Sequence, residues 1–485
     1  MSTRMTERQP RRWLVLVVLC LSALVLVVDN LVLTVAVPPL AQDLGASASD
    51  IQWILDSYIL VFAGLLLTSG SLGDRFGRRR ILIIGLALFG AASLLATYAG
   101  SPLELVVARV VMGVGGALIM PSTLSILITV FDEEERPKAM AAWSAVAIVG
   151  FVGGPILGGA LIAWFWWGAV FLINVPIVVL AIIAAVVLMP ESRGPWQKPD
   201  PLGAVLSVVG MTALVWTIIE LPKHGLPVTS LVIAVVALVA FVIWESRVEH
   251  PMVPLKLFRS RNFSGGSLSL TLVQIGSGGL LLVVTQYLQF VLDYTPTEAG
   301  LAFVPMAIAS LIFNGLGATL GQKLGNRWLV GLGMIVIAAA FVVLTFESGS
   351  FITMATAMFL IGAGGGLAGP AAINALMSTV PPEQAGVGSA LNDTIQQMGA
   401  ALGVAVLGSV LSAGFIAEMP AGSPTNISEA IAVPGLASVA RTAFTSAMST
   451  TFWICAAGVV VAAILAITVM RDKTKTEPTE DLIPA

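Results

Sequence analysis

Read for hydrophobic and polar positions, the chain is a series of long apolar runs broken by short polar connections. A run of about 20 apolar residues is what an α-helix needs to cross the ~30 Å hydrocarbon core of a bilayer. Such runs occur at 13–38, 51–72, 81–99, 102–127, 139–163, 165–189, 201–221, 228–244, 264–291, 297–321, 328–346, 351–377, 386–412 and 443–470. They predict fourteen transmembrane helices, and an even number puts both termini on one side. The polar connections say which side. With the N-terminus in the cytoplasm, all of the 24 Lys and Arg except Lys223, Arg441 and Arg109 fall in cytoplasmic segments. That asymmetry is the signature of a cytoplasmic face.

Composition agrees with the pattern. Of 485 residues, 57% are hydrophobic and 11% charged, against about 25% charge in a soluble domain. The chain has too few polar groups to cover a globular surface. A net charge of −3 and the lack of a basic tract beyond the loops argue against nucleic acid as a partner. Cys20 and Cys455 both lie inside apolar runs and read as packing residues. The basic segment Met1–Arg12 precedes a span too long for a signal-peptide core, with no small-residue cleavage site after it, so that span is expected to be retained.

The chain repeats itself. Leu72-Gly73-Asp74-Arg75-Phe76-Gly77-Arg78-Arg79 is echoed by Leu320-Gly321-Gln322-Lys323-Leu324-Gly325-Asn326-Arg327, an offset of 248. Gly113, Gly115, Gly116 and Pro121 return as Gly362, Gly364, Gly365 and Pro370, an offset of 249. Two stretches at nearly one offset predict duplicated six-helix halves. The expected division is an N-terminal six-helix bundle at 1–190, a linker with two extra helices at 191–263, and a C-terminal bundle with its tail at 264–485. The second copy has lost its charges: Gln322 stands for Asp74, and Met358 for Arg109. The outer loop at 413–442, rich in small residues, is expected to be mobile, and its Asn426-Ile-Ser428 sequon reads as a chance occurrence.

Charges inside a membrane cost about 2.5–3.5 kcal/mol each on insertion scales, so those present carry a functional expectation. At 1.5 Å rise per residue, Asp29 falls roughly 6 Å below the outer edge of the core, Asp56 about 8 Å and Arg109 about 9 Å. Three charges on three helices at one depth suggest an arginine among two carboxylates. Pairing would hold one acid ionised and leave the other to carry a proton. The structural alternative is a plain Asp–Arg pair that fixes helix contacts. Asp393, near the cytoplasmic end of the thirteenth span and followed by Gln396 and Gln397, is either a further carboxylate on a substrate path or a first-turn acid favoured by the helix dipole.

Two motifs rely on small residues. Gly70-Ser-Leu-Gly73-Asp74-Arg75-Phe-Gly77-Arg78-Arg79 makes a tight charged turn, in which Asp74 is placed to cap or face a helix N-terminus. Gly150-Phe-Val-Gly-Gly154-Pro155-Ile-Leu-Gly158-Gly159 is a stripe for close helix approach, with a proline that frees a carbonyl. Gly364-Gly-Gly366-Leu-Ala-Gly369 matches a dinucleotide fingerprint, but no strand precedes it, so no nucleotide cofactor is expected. His224 and His250 lie in loops without a second ligand, so no metal is expected either.

The charged turn resembles the loop between helices 2 and 3 of major facilitator transporters, and the glycine stripe resembles the antiporter motif of that superfamily. Asp29-Asn-Leu-Val-Leu-Thr-Val-Ala-Val-Pro38, Trp53-Ile-Leu-Asp56-Ser-Tyr58-Ile-Leu, Ala108-Arg109-Val-Val-Met-Gly-Val-Gly115, Phe171-Leu-Ile-Asn174-Val-Pro176 and Pro254-Leu-Lys-Leu-Phe-Arg259 extend the likeness to the fourteen-span drug:proton antiporters. The resemblance implies an all-α major facilitator fold with two inserted helices and a secondary transporter rather than an enzyme. It implies export of lipophilic, cationic compounds, with an endogenous lipid or neutral antibiotic as the alternative substrate. Asp29, Asp56 and Asp393 would handle cations or protons with Arg109, and the Asp74 loop would latch one access state. Some relatives carry two adjacent acids in span 13, where this chain has Asn392-Asp393. The expected partners are a small lipophilic substrate, protons and the lipid bilayer of the cell membrane, for a monomer.

Overall fold

The computed structural model describes residues 12–132, 135–193, 200–249, 251–253, 255–346, 349–379 and 385–470. The basic residues Arg4, Arg8 and Arg11, part of the proline-rich linker and the tail lie outside them. Helix follows helix: α1 (Arg12–Leu44), α2 (Ala48–Phe76), α3 (Arg78–Thr97), α4 (Pro102–Val130), α5 (Arg136–Trp164), α6 (Ala169–Leu172) and α7 (Asn174–Leu188). Then come α8 (Pro201–His224), α9 (Val228–Arg247), α10 (Arg261–Gln286), α11 (Pro296–Leu301), α12 (Val304–Leu324) and α13 (Asn326–Thr345). The chain ends with α14 (Phe351–Met377), α15 (Ala385–Glu418), α16 (Ile427–Ala432) and α17 (Ala437–Val469).

Each of the fourteen apolar runs finds a helix. α6 and α7 together make the sixth span, and α11 with α12 the tenth. Among the described residues, 13 are long and apolar enough to cross a membrane; α5 contributes a shorter apolar stretch, Gly153–Trp164, within its 29 residues. Polar residues start and stop them. Ser47 and Asp50 form a capping box on α2, Ser101 caps α4, and Thr295 with Glu298 boxes α11.

Two clusters of buried side chains organise the molecule. One gathers α1 to α7 around Leu33, Phe89, Leu105 and Phe171; the other gathers α10 to α17 around Tyr287, Phe341, Met358 and Phe452. α8 and α9 pack on each other, and α8 also touches α2 and α15, one helix from each bundle. A small cluster of Leu60, Val215, Ile219, Ala401 and Ala405 fills that junction. The inserted pair therefore lies across the seam.

Contacts between the bundles gather at one end. Gln289 Nε2 donates to Val35 O at 3.0 Å, and Asn426 Nδ2 to Ala46 O at 2.7 Å. The stretch at 413–442, expected as a mobile loop, carries structure of its own. α16 forms within it, and Asn426, the sequon residue, is buried and committed to that hydrogen bond.

Candidate functional site

Arg109 stands in α4, almost wholly buried, with a guanidinium that needs partners. Its Nη1 donates to Asp29 Oδ2 of α1 at 2.5 Å, and its Nε to the Ile54 carbonyl of α2 at 3.1 Å. The guanidinium also lies over the Tyr58 ring, 4.2 Å from its centroid. The other oxygen of Asp29 accepts from Asn174 Nδ2 of α7 at 2.8 Å, and the same amide reaches Ser93 Oγ of α3 at 3.4 Å. Five helices thus converge on one charge pair. A buried ion pair survives only when its remaining valences are filled, and here both carboxylate oxygens are.

Asp56 is not part of this group. It sits two residues before Tyr58, and at 100° per residue that is roughly 200° around α2. Its stripe, Gln52, Trp53, Leu60 and Gly64, faces α8 and α15 instead: Trp53 meets Trp216 edge-on at 5.5 Å, and Gly64 lies against Val208. Asp56 is fully buried, and neither carboxyl oxygen has a hydrogen-bond partner among the described residues. The expected arginine between two carboxylates is therefore a pair plus a separate acid. Depth placed Asp56 beside Arg109; helical phase turned it away.

Tyr58 and Asn174 complete the cluster without having been singled out for it. Asn174 is an amide in an otherwise apolar span, and that polarity was the available signal. Asp393 is half-buried near the start of α15, where Oδ1 accepts from Asn392 Nδ2 at 3.1 Å.

A cavity of about 560 Å³ opens between the bundles, with Arg109 on its edge. Leu31, Ile59, Val273, Met306 and Ile361 give it apolar walls. It reaches down to Leu270, Gly369 and Ile373, toward the end that carries the charged turn, and the bundles close over its other end.

The two motifs take distinct places. In α5, a Cβ on Gly154 would come within 2.7 Å of Leu31 Cβ, and one on Gly158 within 3.0 Å of the Val32 carbonyl; Gly150 lies against Val27. Gly159 and Pro155 face α11 of the other bundle, at Thr297 and Gly300. The stripe joins α5 to α1 and to the opposite bundle at the closed end. In the charged turn, Asp74 is on the last turn of α2 and faces the start of α3 through Arg78 without capping it. It pairs with Arg78 at 2.8 Å, and Arg78 reaches on to Ser125 O and Thr129 Oγ1 of α4. Gly77 takes a φ of 112°, which a side chain resists, and Glu191 fills the space beside it. Gly73 lies against Ser122 and Gly70 against Pro121, both on α4. Arg79 donates to Met189 O at 2.8 Å, and the Arg75 guanidinium lies over Phe76. Among the described residues, the turn is held to α4, to Met189 O at the end of α7, and to Glu191 and Ser192 at the start of the linker.

A family model described as Major Facilitator Superfamily matches residues 19–404, and again 266–484. The chain is 37% identical over 430 residues to the multidrug efflux pump LfrA of Mycolicibacterium smegmatis, covering 87% of this chain and 85% of that one. It is 35% identical over 422 residues to the methyl viologen resistance protein SmvA of Salmonella typhimurium, with 85% of each covered. It is also 35% identical over 426 residues to the cephamycin export protein CmcT of Amycolatopsis lactamdurans, covering 85% of this chain and 86% of that one. Among solved structures it resembles a bacterial homolog of the human lysosomal transporter Spinster, inward-facing and unoccupied, with a TM-score of 0.69 at 20% identity over 96% of this chain and 100% of that one.

Proposed function

This chain belongs to the Major Facilitator Superfamily, among its drug-efflux members, and is a multi-pass membrane transporter rather than an enzyme; on that premise we propose that it exports lipophilic compounds in exchange for protons by alternating access. The observation that carries this reading is the division of labour between two buried acids. Asp29 is held by Arg109 and Asn174 at the cavity edge. Among the described residues Asp56 meets no cation and no hydrogen-bond donor, so it is the acid left to carry a proton.

In this cycle the substrate enters the cavity from the end bearing the charged turn. That end is taken as cytoplasmic from its Lys and Arg, with both termini on the same side, in the cell membrane. Rocking of the bundles then opens the other end. The stripe from Gly150 to Gly159 has to part from α11 for this to happen. A proton taken up from outside returns the carrier, and each one re-entering supplies about 2.3 kcal/mol per 100 mV, besides any pH gradient. The Asp29–Arg109 pair contacts the backbone of α2, which also bears Asp56, and so links cavity and proton site through one helix.

The test is flux in proteoliposomes with an imposed pH gradient, using tetraphenylphosphonium and the uncharged N-acetyldaunorubicin as probes. Gradient-driven transport of either is expected from the native protein. Asp56→Asn should lose the response to the gradient yet keep substrate counterflow, whereas Asp29→Asn should lose both. Transport of neither probe by folded protein, or native behaviour in both variants, would sink the reading.

A further inference from the structure

The cavity is built without the two devices that hold a lipophilic cation. Such a cation is bound by a carboxylate that offsets its charge or by the faces of aromatic rings. Among the described residues that line the cavity there is no Asp or Glu, and no Phe, Tyr or Trp. The charged residue that does line it is Arg109, itself a cation and already neutralised by Asp29. Tyr58 offers its ring to Arg109. Asp56 faces the seam at α8, and Asp393 stands a turn outside the lining.

What the cavity does present is carboxamides. Asn30 comes from α1, Gln274 from α10, Asn314 from α12, and Gln396 with Gln397 from α15. Both bundles contribute. Asn30 and Asn314 each donate an N–H to the carbonyl one turn back, Leu26 O and Ser310 O, both at 2.9 Å. Gln274, Gln396 and Gln397 are half-buried and make no hydrogen bond to the described residues. An amide offers a donor and an acceptor at once. Three free glutamines in apolar walls suit a ligand whose own carbonyl and hydroxyl groups would otherwise enter the cavity unpaired.

Resting on the exporter reading, we propose that the substrates are uncharged lipophilic molecules bearing several carbonyl and hydroxyl groups, recognised by this arc of carboxamides rather than by an acid. A cation entering the same walls would lose its hydration with no anion facing it. Because the arc draws on α1 of one bundle and α10, α12 and α15 of the other, rocking would pull its members apart and loosen the ligand at the opened face.

The experiment is equilibrium binding to purified protein in detergent, read by fluorescence, for daunorubicin and N-acetyldaunorubicin. At neutral pH the two share their ring system and sugar ring and differ at the sugar nitrogen, a charged ammonium in one and an uncharged acetamide in the other. The N-acetyl compound is expected to bind about tenfold tighter or more, and Gln396→Leu with Gln397→Leu should remove about tenfold of that affinity. A gain-of-function variant guards against mere misfolding: Gln397→Glu places an acid in the wall and should shift the preference toward daunorubicin. Tighter binding of daunorubicin to the native protein, or unchanged binding by the glutamine variants, would overturn the proposal. No gradient enters this assay, so a failure of proton coupling in proteoliposomes leaves its answer intact, and the reverse holds too.

Discussion

In the first bundle a Cβ on Gly115 would stand 2.8 Å from the carbonyl oxygen of Gly85, and in the second a Cβ on Gly364 would stand 2.5 Å from that of Gly333. The two contacts, α3 on α4 and α13 on α14, lie one repeat apart. Gly113 against Tyr58 recurs as Gly362 against Met306, and Gly77 with φ of 112° recurs as Gly325 with φ of 93°. The backbones agree at each of these points, yet the side chains do not. At the offset of 248, Asp29 and Tyr58 correspond to Ser277 and Met306, and Arg109 corresponds to Met358 at an offset of 249. Where one bundle encloses an ion pair, the other buries methionine in its core. Helix packing demands small residues at fixed places in both copies. The charge is needed once, and its desolvation cost is a reason not to pay it twice.

The sharpest way to break the comparison is to transplant the second bundle's chemistry into the first. Arg109→Met alone leaves Asp29 buried without its cation, and Asp29→Ser alone leaves the guanidinium stranded. Each should cost about 3–5 kcal/mol of stability and abolish transport. Asp29→Ser together with Arg109→Met removes both charges at once and installs the residues that the second bundle carries at 277 and 358. Thermal unfolding in detergent should recover most of the loss, while flux in proteoliposomes stays absent. Recovery of flux in the double variant would mean that the pair is only a structural device.

Much of this was legible in the chain. Apolar runs gave the helices, and the echo of Leu72–Arg79 in Leu320–Arg327 predicted where two turns would share one backbone. The ion pair was legible in part, since Asp29 and Arg109 are charges at similar depth. What depth does not carry is rotation. Asp56 and Tyr58 differ by two positions, and only the second faces Arg109 because a helix turns roughly 200° between them. The roles of Trp53, Leu60 and Gly64 as a stripe against α8 and α15 depend on where the inserted hairpin docks, which no local pattern specifies. Asn174 lies in a segment that resembles the family's, but its bond to Asp29 joins residues 145 positions apart. Position in the sequence gives no sign of a contact at that range.

An intermediate effect should come from the paired glycines. Gly115→Ala and Gly364→Ala each push a methyl group against a carbonyl of the neighbouring helix, an overpacking that costs about 1–3 kcal/mol. Similar losses in the unfolding midpoint are expected for the two, since the contact is the same in both bundles. If only one variant is destabilised, the equivalence of the halves is limited to sequence. Gly365→Ala is the control, because nothing stands within 4 Å of a Cβ there.

The smallest effect belongs to the charged turn. Asp74→Gln installs the residue found at 322 and removes a pair with Arg78 that is partly open to solvent, with side-chain exposures of 26% and 15%. Such a pair is worth about 1 kcal/mol or less, so unfolding should barely move. Arg78 keeps its bonds to Ser125 O and Thr129 Oγ1 and still ties the turn to α4. If the turn biases one access state, a change of that size alters the transport rate by less than about tenfold. The reciprocal swap is stricter. Gln322→Asp with Asn326→Arg gives the second bundle the spacing of Asp74 and Arg78 on a backbone whose Gly325 already matches Gly77. Flux that slows in Asp74→Gln and is restored by adding this second pair would mean that the charge pair acts through helix ends common to both bundles. Flux that stays slow would assign the effect to the first bundle's own partners, with Glu191 and α4 as the surfaces that make the turn unique.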